Sequence, residues 1–178
     1  LDEAGEATAA EIRASGGEAR YIHLDVTKEA DWQAAVDLAT GSYGGLDILV
    51  NNAGLFLGRD FEEVSVADWE RLVSVNLTGV WPGKKSPAGS VIVNLASVAG
   101  LVGSQLDPLY SMTKGGVTTF TKSTALAFGR KGDRIRVNSI HPGVIETDMG
   151  AQTFVSRAAQ IGTNDSDTAR EQSLRMHP

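Results

Sequence analysis

Short apolar segments alternate with longer helical segments along this chain, and this alternation restricts the fold more than any other feature. The run at 46–51 follows Gly44-Gly45 and is almost continuously apolar, as is typical of a strand buried in a parallel sheet. Parallel strands need long crossover connections, which are usually helical and right-handed. The alternation therefore predicts an α/β fold of the Rossmann type, a doubly wound parallel sheet with helices.

Periodicity and end signals place the individual elements. Helices are predicted at 2–14, 28–43, 65–81, 108–128 and 165–174, and strands at 19–24, 46–51, 90–95 and 134–140. Ser65 and Asp68 form a capping-box pattern, Pro82-Gly83 is a stop signal, and Pro108 suits a first helical turn. The stretch between Gly143 and residue 165 is predicted to be polar and irregular. There are no repeats or linkers, so we expect one domain over residues 1–178.

Composition excludes several classes of function. The net charge of −6 comes from 22 acidic and 16 basic residues with no basic stripe, so we expect no nucleic-acid partner. The chain has no cysteine, and His23, His141 and His177 lack metal-ligand spacing, so no metal site is expected. No apolar run approaches the roughly 18 residues that span a bilayer, and the first residues do not resemble a signal peptide. We therefore expect a soluble, cytoplasmic protein without a membrane partner.

Three side chains suggest a proton-transfer site. Tyr110 and Lys114 are four residues apart on a predicted helix and share one face, while Ser97 ends an apolar strand. A nearby ammonium favours ionised tyrosine, so we expect the pKa of Tyr110 to fall from about 10 toward neutrality. A group with such a pKa is suited to general acid–base catalysis. Taken alone, this pair is more often an exposed surface pair.

Further motifs accompany these residues in a fixed order. They are Asn51-Asn52-Ala53-Gly54 after a strand, Asn76 in a Val-Asn-Leu-Thr-Gly segment, Asn94-Leu95-Ala96-Ser97, and Pro142-Gly143 with Thr147 four residues after the glycine. Together they resemble the classical short-chain dehydrogenase/reductase (SDR) family over the whole chain. The run from Ile135 to Gly143 is similar to that of hydroxysteroid and cyclic-alcohol dehydrogenases.

The resemblance implies a role for each of four catalytic candidates. Tyr110 would be the acid–base, and Lys114 would lower its pKa and hydrogen-bond the nicotinamide ribose. Ser97 would hydrogen-bond the substrate oxygen and steady the developing alkoxide. Asn76 would kink its helix and hold a water that links Lys114 to solvent. The structural alternatives are a strand-end cap for Ser97, a helix polar group for Asn76 and a surface charge for Lys114.

The resemblance also implies a cofactor site for NAD, with NADP as the alternative. Its residues would be Asp25, Val26, Asn52, Ala53, Gly54, Tyr110, Lys114, Pro142, Gly143, Ile145 and Thr147. Asp25 would bind the adenine amino group, although it could instead be the N-cap of the following helix. Gly54 would let backbone approach the cofactor, and Gly143, Ile145 and Thr147 would hold the nicotinamide carboxamide. No arginine near Leu1 is available for a 2′-phosphate, which favours NAD.

The expected substrate is a small neutral secondary alcohol or ketone, cyclic or steroid-like. Its apolar lining would include Leu101, Val102, Leu106, Met149 and Phe154. The alternatives are a 3-oxoacyl-(acyl-carrier-protein) reductase that uses NADPH, or a non-catalytic fragment or dinucleotide-binding relative. By resemblance, the protein would be a homotetramer or homodimer formed through its long helices.

Some of the family pattern is missing from this chain. Sequences of family members begin with a strand, a glycine-rich phosphate loop and a helix, and they end with a further strand. Neither end is found in residues 1–178, and the 21-residue spacing from Asn76 to Ser97 is shorter than usual. We therefore expect a partial SDR domain.

Overall fold

The computed structural model describes residues 1–59, 61–80, 89–104 and 107–176. They form two compact units, Leu1–Leu46 and Asp47–Pro178, and each is described by itself.

The first unit contains two helices, α1 (Asp2–Ala14) and α2 (Glu29–Tyr43). Helix α2 ends at Gly44, which has a φ of +79° and donates its N–H to the carbonyl of Thr40. Glycine adopts this left-handed conformation without the steric penalty of a side chain, so it is a common helix terminator. Both helices were predicted from sequence, and α2 begins only one residue later than expected.

The strand predicted at 19–24 is wrong, because these residues form neither strand nor helix. A strand requires a neighbouring strand for its backbone hydrogen bonds. The described residues of the first unit form two helices and coil, so they offer residues 19–24 no such neighbour. The side chains in this segment bond to α1 instead. The hydroxyl of Tyr21 donates to Asp2, and Nδ1 of His23 lies 2.9 Å from the same carboxylate.

A parallel three-stranded sheet organises the second unit. Its strands are β1 (Ile48–Asn51), β2 (Ser90–Leu95) and β3 (Ile135–Ile140), in the spatial order β1-β2-β3. In the ladder, Asn51 pairs with Asn94, and Asn94 pairs with Ser139. The predicted parallel sheet is confirmed. Because parallel strands end at the same edge, the polar residues Asn51, Asn94 and Ser139, each at the last or next-to-last position of its strand, are neighbours in the ladder.

Strand β1 is less buried than its apolar sequence predicted. Ile48 and Val50 are 65% and 52% exposed, whereas Asn51 is buried. In the described sheet β1 is an edge strand, and alternate residues of a strand point to opposite faces. The prediction of a fully buried strand is therefore wrong for Ile48 and Val50.

Helix α3 (Val66–Val73) begins with the predicted capping box. The amide of Asp68 donates to Oγ of Ser65 over 3.1 Å, and the amide of Ser65 donates to the Asp68 carboxylate over 3.2 Å. The helix continues into a π-helical turn, Ser74–Thr78, that contains Asn76. The helical residues end at Thr78, before the predicted end at Trp81. Trp81 and the predicted stop signal Pro82-Gly83 lie outside the described residues, as does His177.

Helix α4 (Pro108–Arg130) is the longest described element and connects β2 to β3. Its N-cap is Asp107, whose carboxylate accepts the amide of Tyr110 over 2.8 Å. Its C-terminal part packs on the apolar core of the unit. That core consists of Ile92, Ile135 and Val137, with Leu49, Ala125 and Phe128 packed against it.

The segment beyond Gly143 is not irregular as predicted, because it contains helix α5 (Asp148–Gln160) before the expected helix α6 (Ser166–Met176). Thr147 caps α5, and its Oγ1 accepts the amide of Gly150 over 3.2 Å. The composition of α5 is mixed and contains a glycine, so it lacks the strong apolar stripe by which helices are recognised in sequence. Within the described ranges, no helix has the length and apolar character needed to cross a bilayer.

Candidate active site

The candidate site lies at the carboxyl edge of the sheet, where β2 passes into a short 3-10 turn, Val98–Gly100. Ser97 caps this turn, and its Oγ accepts the amide of Ala99 over 3.1 Å. The side chain of Ser97, which is buried, also hydrogen-bonds Tyr110. The structure therefore brings Ser97 and Tyr110 together, as the sequence predicted. The alternative role of Ser97 as a strand-end cap also holds, because the same oxygen serves both contacts.

Tyr110 is held by its backbone and by its ring. Its amide donates to the Asp107 cap, and its ring lies edge-on to Phe56 with the centroids 5.7 Å apart and the planes at 88°. Burial raises the pKa of Tyr110, the Asp107 charge raises it further, and the hydrogen bond to Ser97 opposes this shift. The expected lowering of this pKa is therefore wrong, since desolvation of the phenolate outweighs the attractive interactions in this structure.

Lys114 is not the surface charge of the alternative interpretation, because its side chain is only 4% exposed. Its Nζ donates to the carbonyl oxygen of Leu95 over 2.7 Å and lies 5.7 Å from the centroid of the Tyr110 ring. Burial lowers the pKa of Lys114 from its ordinary 10.5 to about 8. The ammonium is therefore directed at the end of β2 rather than paired with a carboxylate.

Gly100 explains how the turn after Ser97 approaches α4. A Cβ at this position would lie 2.6 Å from both the carbonyl carbon and the carbonyl oxygen of Lys114. Such a contact with backbone cannot be accommodated without a shift, so only glycine fits here. Sequence reasoning missed this residue. The available signal was a glycine three residues after the candidate serine.

Asn76 fixes the loop that follows β1. It is 1% exposed, its Oδ1 accepts the amide of Leu55 over 2.6 Å, and its Nδ2 donates to the Leu55 carbonyl over 2.8 Å. Nδ2 also lies 3.3 Å from Oγ1 of Thr113 on α4. The amide thus pairs with both backbone groups of one residue, in the way a neighbouring strand would. Its place in the π-helical turn is compatible with the distortion that the resemblance implied.

Gly54 faces Asn76 and Lys114. A Cβ built on Gly54 would lie 3.4 Å from Nζ of Lys114 and 3.7 Å from Oδ1 of Asn76. These are ordinary contact distances, so the protein itself would tolerate a side chain here. The glycine instead leaves space beside a buried ammonium and a buried amide, which are suitable partners for the hydroxyl groups of a nucleotide sugar.

The remaining cofactor candidates are more dispersed. Asn52 and Ala53 are exposed beside Gly54, and Gly143 and Ile145 are exposed after β3. The carbonyl of Pro142 accepts the amide of Val98 over 3.1 Å, so this segment is joined to the residue after Ser97. Thr147 is occupied as the cap of α5.

Asp25 and Val26 belong to the first unit. Oδ1 of Asp25 accepts the amide and the hydroxyl of Thr27 over 3.0 and 2.7 Å, and these bonds lower the pKa of Asp25. The carbonyl of Val26 accepts Nε1 of Trp32 over 3.0 Å. The N-cap of α2 is Lys28. Asp25 therefore stabilises the turn before the helix without being its N-cap.

His141 is a further residue at the site that sequence reasoning assigned to no function. Its Nδ1 lies 3.1 Å from the Ser97 carbonyl oxygen, and its Nε2 lies 2.9 Å from Oγ of Ser139. The only signal in the sequence was its position directly after a predicted strand. Among the described residues, no cluster of histidine and acidic side chains is suited to hold a metal ion.

Apolar side chains flank the turn after Ser97. Leu101 and Val102 are 60% and 66% exposed, and Val144 is also exposed. Met149 and Phe154 on α5 are half-buried. Leu106, which was also predicted to line a substrate site, lies outside the described residues.

Comparisons with known proteins identify relatives of this chain. The chain is 45% identical over 175 residues to a 3-alpha-(or 20-beta)-hydroxysteroid dehydrogenase of Mycobacterium bovis, covering 90% of this chain and 65% of that protein. It is 40% identical over 159 residues to a cyclopentanol dehydrogenase of Comamonas sp., covering 85% of this chain and 62% of that protein. The chain thus spans somewhat less than two thirds of the length of these relatives.

A solved structure and a family model also match this chain. The crystal structure of an NAD+-bound xylitol dehydrogenase superimposes with a TM-score of 0.85 at 28% identity, covering 100% of this chain and 72% of that one. The family model described as short chain dehydrogenase matches residues 1–158. The chain belongs to the short-chain dehydrogenase family and forms a partial Rossmann-like domain of that family.

Proposed function

We propose that this chain carries the catalytic site of an NAD-dependent dehydrogenase that interconverts a secondary alcohol and a ketone. The observation that carries the proposal is the cluster of Ser97, Tyr110 and Lys114 at the carboxyl edge of a parallel sheet. A serine hydroxyl that bonds a half-buried phenol, with a buried ammonium 5.7 Å from the phenol ring, is suited to moving a proton on and off a substrate oxygen.

Tyr110 would exchange this proton. In ketone reduction its hydroxyl donates to the carbonyl oxygen, and in alcohol oxidation its phenolate accepts the proton of the hydroxyl. Burial raises its pKa, so Tyr110 is protonated at neutral pH and is ready to act as a donor. Alcohol oxidation needs the ionised form, so we expect the rate of oxidation to rise as the pH increases above neutrality.

Ser97 would orient the reacting oxygen. Its Oγ accepts the amide of Ala99, so the direction of the hydroxyl is fixed from the protein side. A hydroxyl held in this way can donate to an oxygen on which negative charge develops, without reorganising during the reaction. Because the same side chain bonds Tyr110, both groups can address one substrate oxygen.

In the second unit, the cofactor site would use Gly54, Asn76 and Lys114, with Asn52, Ala53, Pro142, Gly143, Ile145 and Thr147 along the same edge. A bound nicotinamide dinucleotide accepts hydride in oxidation and supplies it in reduction. Lys114 offers N–H groups beyond the one bonded to Leu95, and Gly54 leaves the adjacent space free of a side chain. We propose NAD rather than NADP, because Asp2 and Glu3 place negative charge at the start of the chain, where no arginine is present.

The proposed substrates are neutral cyclic or steroid-like secondary alcohols and ketones. The turn after Ser97 carries exposed apolar side chains, among them Leu101 and Val102, which favour an apolar ring over a charged substrate. The relatives at 40–45% identity are named for hydroxysteroids and cyclopentanol. We extend these substrate classes to the present protein as a proposal.

We also expect a homodimer or homotetramer formed through the long helices. Met112, Phe120 and Leu126 on α4 are 39%, 37% and 76% exposed, and apolar side chains on an outer helix face are suited to contact a second copy. Light scattering of the purified protein would test this expectation. A monomer mass that does not change with concentration would contradict it.

The function itself is tested by following absorbance at the NADH wavelength. The purified protein would be incubated with NAD+ or NADP+ and with cyclopentanol, cyclohexanol, a 3-hydroxysteroid or a 3-hydroxyacyl thioester. We expect reduction of NAD+ with the cyclic or steroid alcohols and a lower rate with the thioester. Preference for NADP+ and the thioester would contradict the proposed cofactor and substrate, and no reduction with any alcohol would contradict the activity.

A further inference from the structure

His141 connects the two segments that meet at the carboxyl edge of β2 and β3. Its ring lies between Ser139, at the end of β3, and Ser97, which follows β2. We propose that His141 is a positioning residue that holds the Ser97 carbonyl and thereby fixes the direction of the Ser97 hydroxyl. This inference rests on the proposed function for the role of Ser97, but the contact itself does not.

The hydrogen bonds determine which ring nitrogen carries hydrogen. A backbone carbonyl can only accept, so Nδ1 of His141 must be the donor to the Ser97 oxygen 3.1 Å away. In the neutral ring Nε2 is then an acceptor, and the Ser139 hydroxyl donates to it over 2.9 Å. The Ser97 carbonyl thus selects the tautomer, and the Ser139 hydroxyl is compatible with it because it can donate to Nε2.

The backbone around Ser97 shows why this side chain matters. The amide of Ala96 donates to the Ile140 carbonyl over 2.9 Å, and the amide of Val98 donates to the Pro142 carbonyl over 3.1 Å. These bonds extend the β2–β3 ladder on both sides of Ser97, whose backbone is itself extended, with φ −168° and ψ 157°.

The carbonyl of Ser97 is held differently from its neighbours. It accepts the amide of Gly100 over 2.9 Å and the ring N–H of His141. The first bond belongs to the same short turn, so it moves with Ser97. The second comes from the residue after β3 and fixes the carbonyl against the sheet. It thereby holds the turn that follows, whose Ala99 amide donates to the Ser97 Oγ.

Two substitutions separate the donor from the bulk of the ring. In His141→Asn, the side-chain amide nitrogen sits at the same number of bonds from Cβ as Nδ1 and can make the same donation. In His141→Leu, the size is similar but the donor is absent. His23→Leu, which changes an exposed histidine of the first unit, is the matched control.

We expect His141→Leu to lower kcat about tenfold, as the loss of one hydrogen bond would. The KM for NAD+ should stay within about twofold, because Ser97 acts on the substrate oxygen and not on the cofactor. His141→Asn should recover most of the rate, and His23→Leu should leave it unchanged. An unaltered kcat in His141→Leu, or equal losses in the leucine and asparagine variants, would overturn the proposal.

A second measurement needs no turnover. Nitrogen-15 NMR of labelled wild-type protein reports the tautomer of each histidine, and we expect hydrogen on Nδ1 of His141. Hydrogen on Nε2 alone would overturn the proposal whatever the kinetics show, and this readout remains decisive if His141→Leu does not fold. A wild-type protein that shows the Nδ1–H tautomer but oxidises no alcohol would contradict the proposed function and leave the contact established.

Discussion

The two halves of the sheet are held together in different ways. At the amino half, Ile92, Ile135 and Val137 form an apolar cluster against Ala125 and Phe128 of α4. At the carboxyl half, buried polar side chains bond from β1 to β2 and from β2 to α4. Apolar packing stabilises the fold without fixing a direction, whereas hydrogen bonds fix the position and orientation of each group.

A chain of bonds shows how the carboxyl half is ordered. Nδ2 of Asn51 donates to Oδ1 of Asn94 over 2.8 Å, and Nδ2 of Asn94 donates to Oγ1 of Thr121 over 2.9 Å. Thr121 in turn donates to the Val117 carbonyl of its own helix over 2.8 Å. One line of polar groups thus joins β1, β2 and α4 directly beneath the residues of the candidate site.

Helix α4 serves both halves. Seven of its residues are buried, and five of these, Thr113, Lys114, Thr118, Thr121 and Thr124, are polar. We infer that the amino half supplies most of the stability and the carboxyl half supplies the geometry for catalysis. Substitutions in the two halves should therefore separate loss of rate from loss of stability.

The largest loss of rate without a loss of stability is expected from Ser97→Ala. Removal of the hydroxyl should lower kcat about 10²- to 10³-fold, because a fixed donor to the reacting oxygen is lost. The melting temperature and the affinity for NADH should change little. Ser123→Ala, an exposed serine on α4, is the control. Turnover close to that of the wild type would show that Ser97 is only the cap of its turn.

Ile92→Ala, in the amino half of the sheet, should instead lower stability more than rate. Ile92 is 3% exposed, so truncation leaves a cavity and should lower the free energy of unfolding by about 2–5 kcal/mol. Ile92→Val should cost about 0.5–1.5 kcal/mol. Denaturant unfolding measures both values. A fall in kcat of the folded protein without a fall in stability would contradict the proposed division.

Gly100→Ala tests the close contact between the turn after Ser97 and helix α4. Its Cβ would meet the Lys114 carbonyl at 2.6 Å, so we expect a loss of about 1–3 kcal/mol in stability together with a lower kcat as Ser97 is displaced. Gly103→Ala is the matched control, since a Cβ there meets no described atom within 4 Å. Equal behaviour of the two variants would argue against a close approach at Gly100.

The smallest effect concerns the buried charge of Lys114. Its pKa is about 8 in the folded protein and near 10.5 when unfolded, so between these values the unfolded state binds more protons. The free energy of unfolding should therefore rise with pH, by about 1.4 kcal/mol between pH 7 and pH 9. Lys114→Met should lack this rise, and Tyr110 titrates above the window. Parallel pH profiles for the two proteins would contradict the burial of the ammonium.

Features that depend on local sequence signals were predictable, and features that depend on contacts between distant residues were not. Strands β2 and β3 follow from apolar runs, the capping box of α3 follows from Ser65 and Asp68, and the first turn of α4 follows from Pro108, because all of these signals are local. The strand at 19–24 was wrong, since strand formation depends on a partner that local pattern does not reveal. Helix α5 was missed because its composition is mixed.

The site was predictable as a set of residues but not as an arrangement. Motif order identified Ser97, Tyr110, Lys114 and Asn76 as candidates. It did not reveal that Lys114 bonds Leu95 or that burial raises the pKa of Tyr110, because burial is a property of the packed structure. His141 and Gly100 were missed for the same reason, since each matters through a contact with a residue distant in sequence.

The most direct test of the account is the turnover of Tyr110→Phe, measured together with its affinity for NADH. Tyr43→Phe, which changes a tyrosine that is 50% exposed on α2, is the control. We expect turnover to fall about 10²- to 10⁴-fold or further, with cofactor affinity within about twofold of the wild type. Turnover within about tenfold of the wild type would contradict the role of Tyr110 as the acid–base and, with it, the proposed catalytic site.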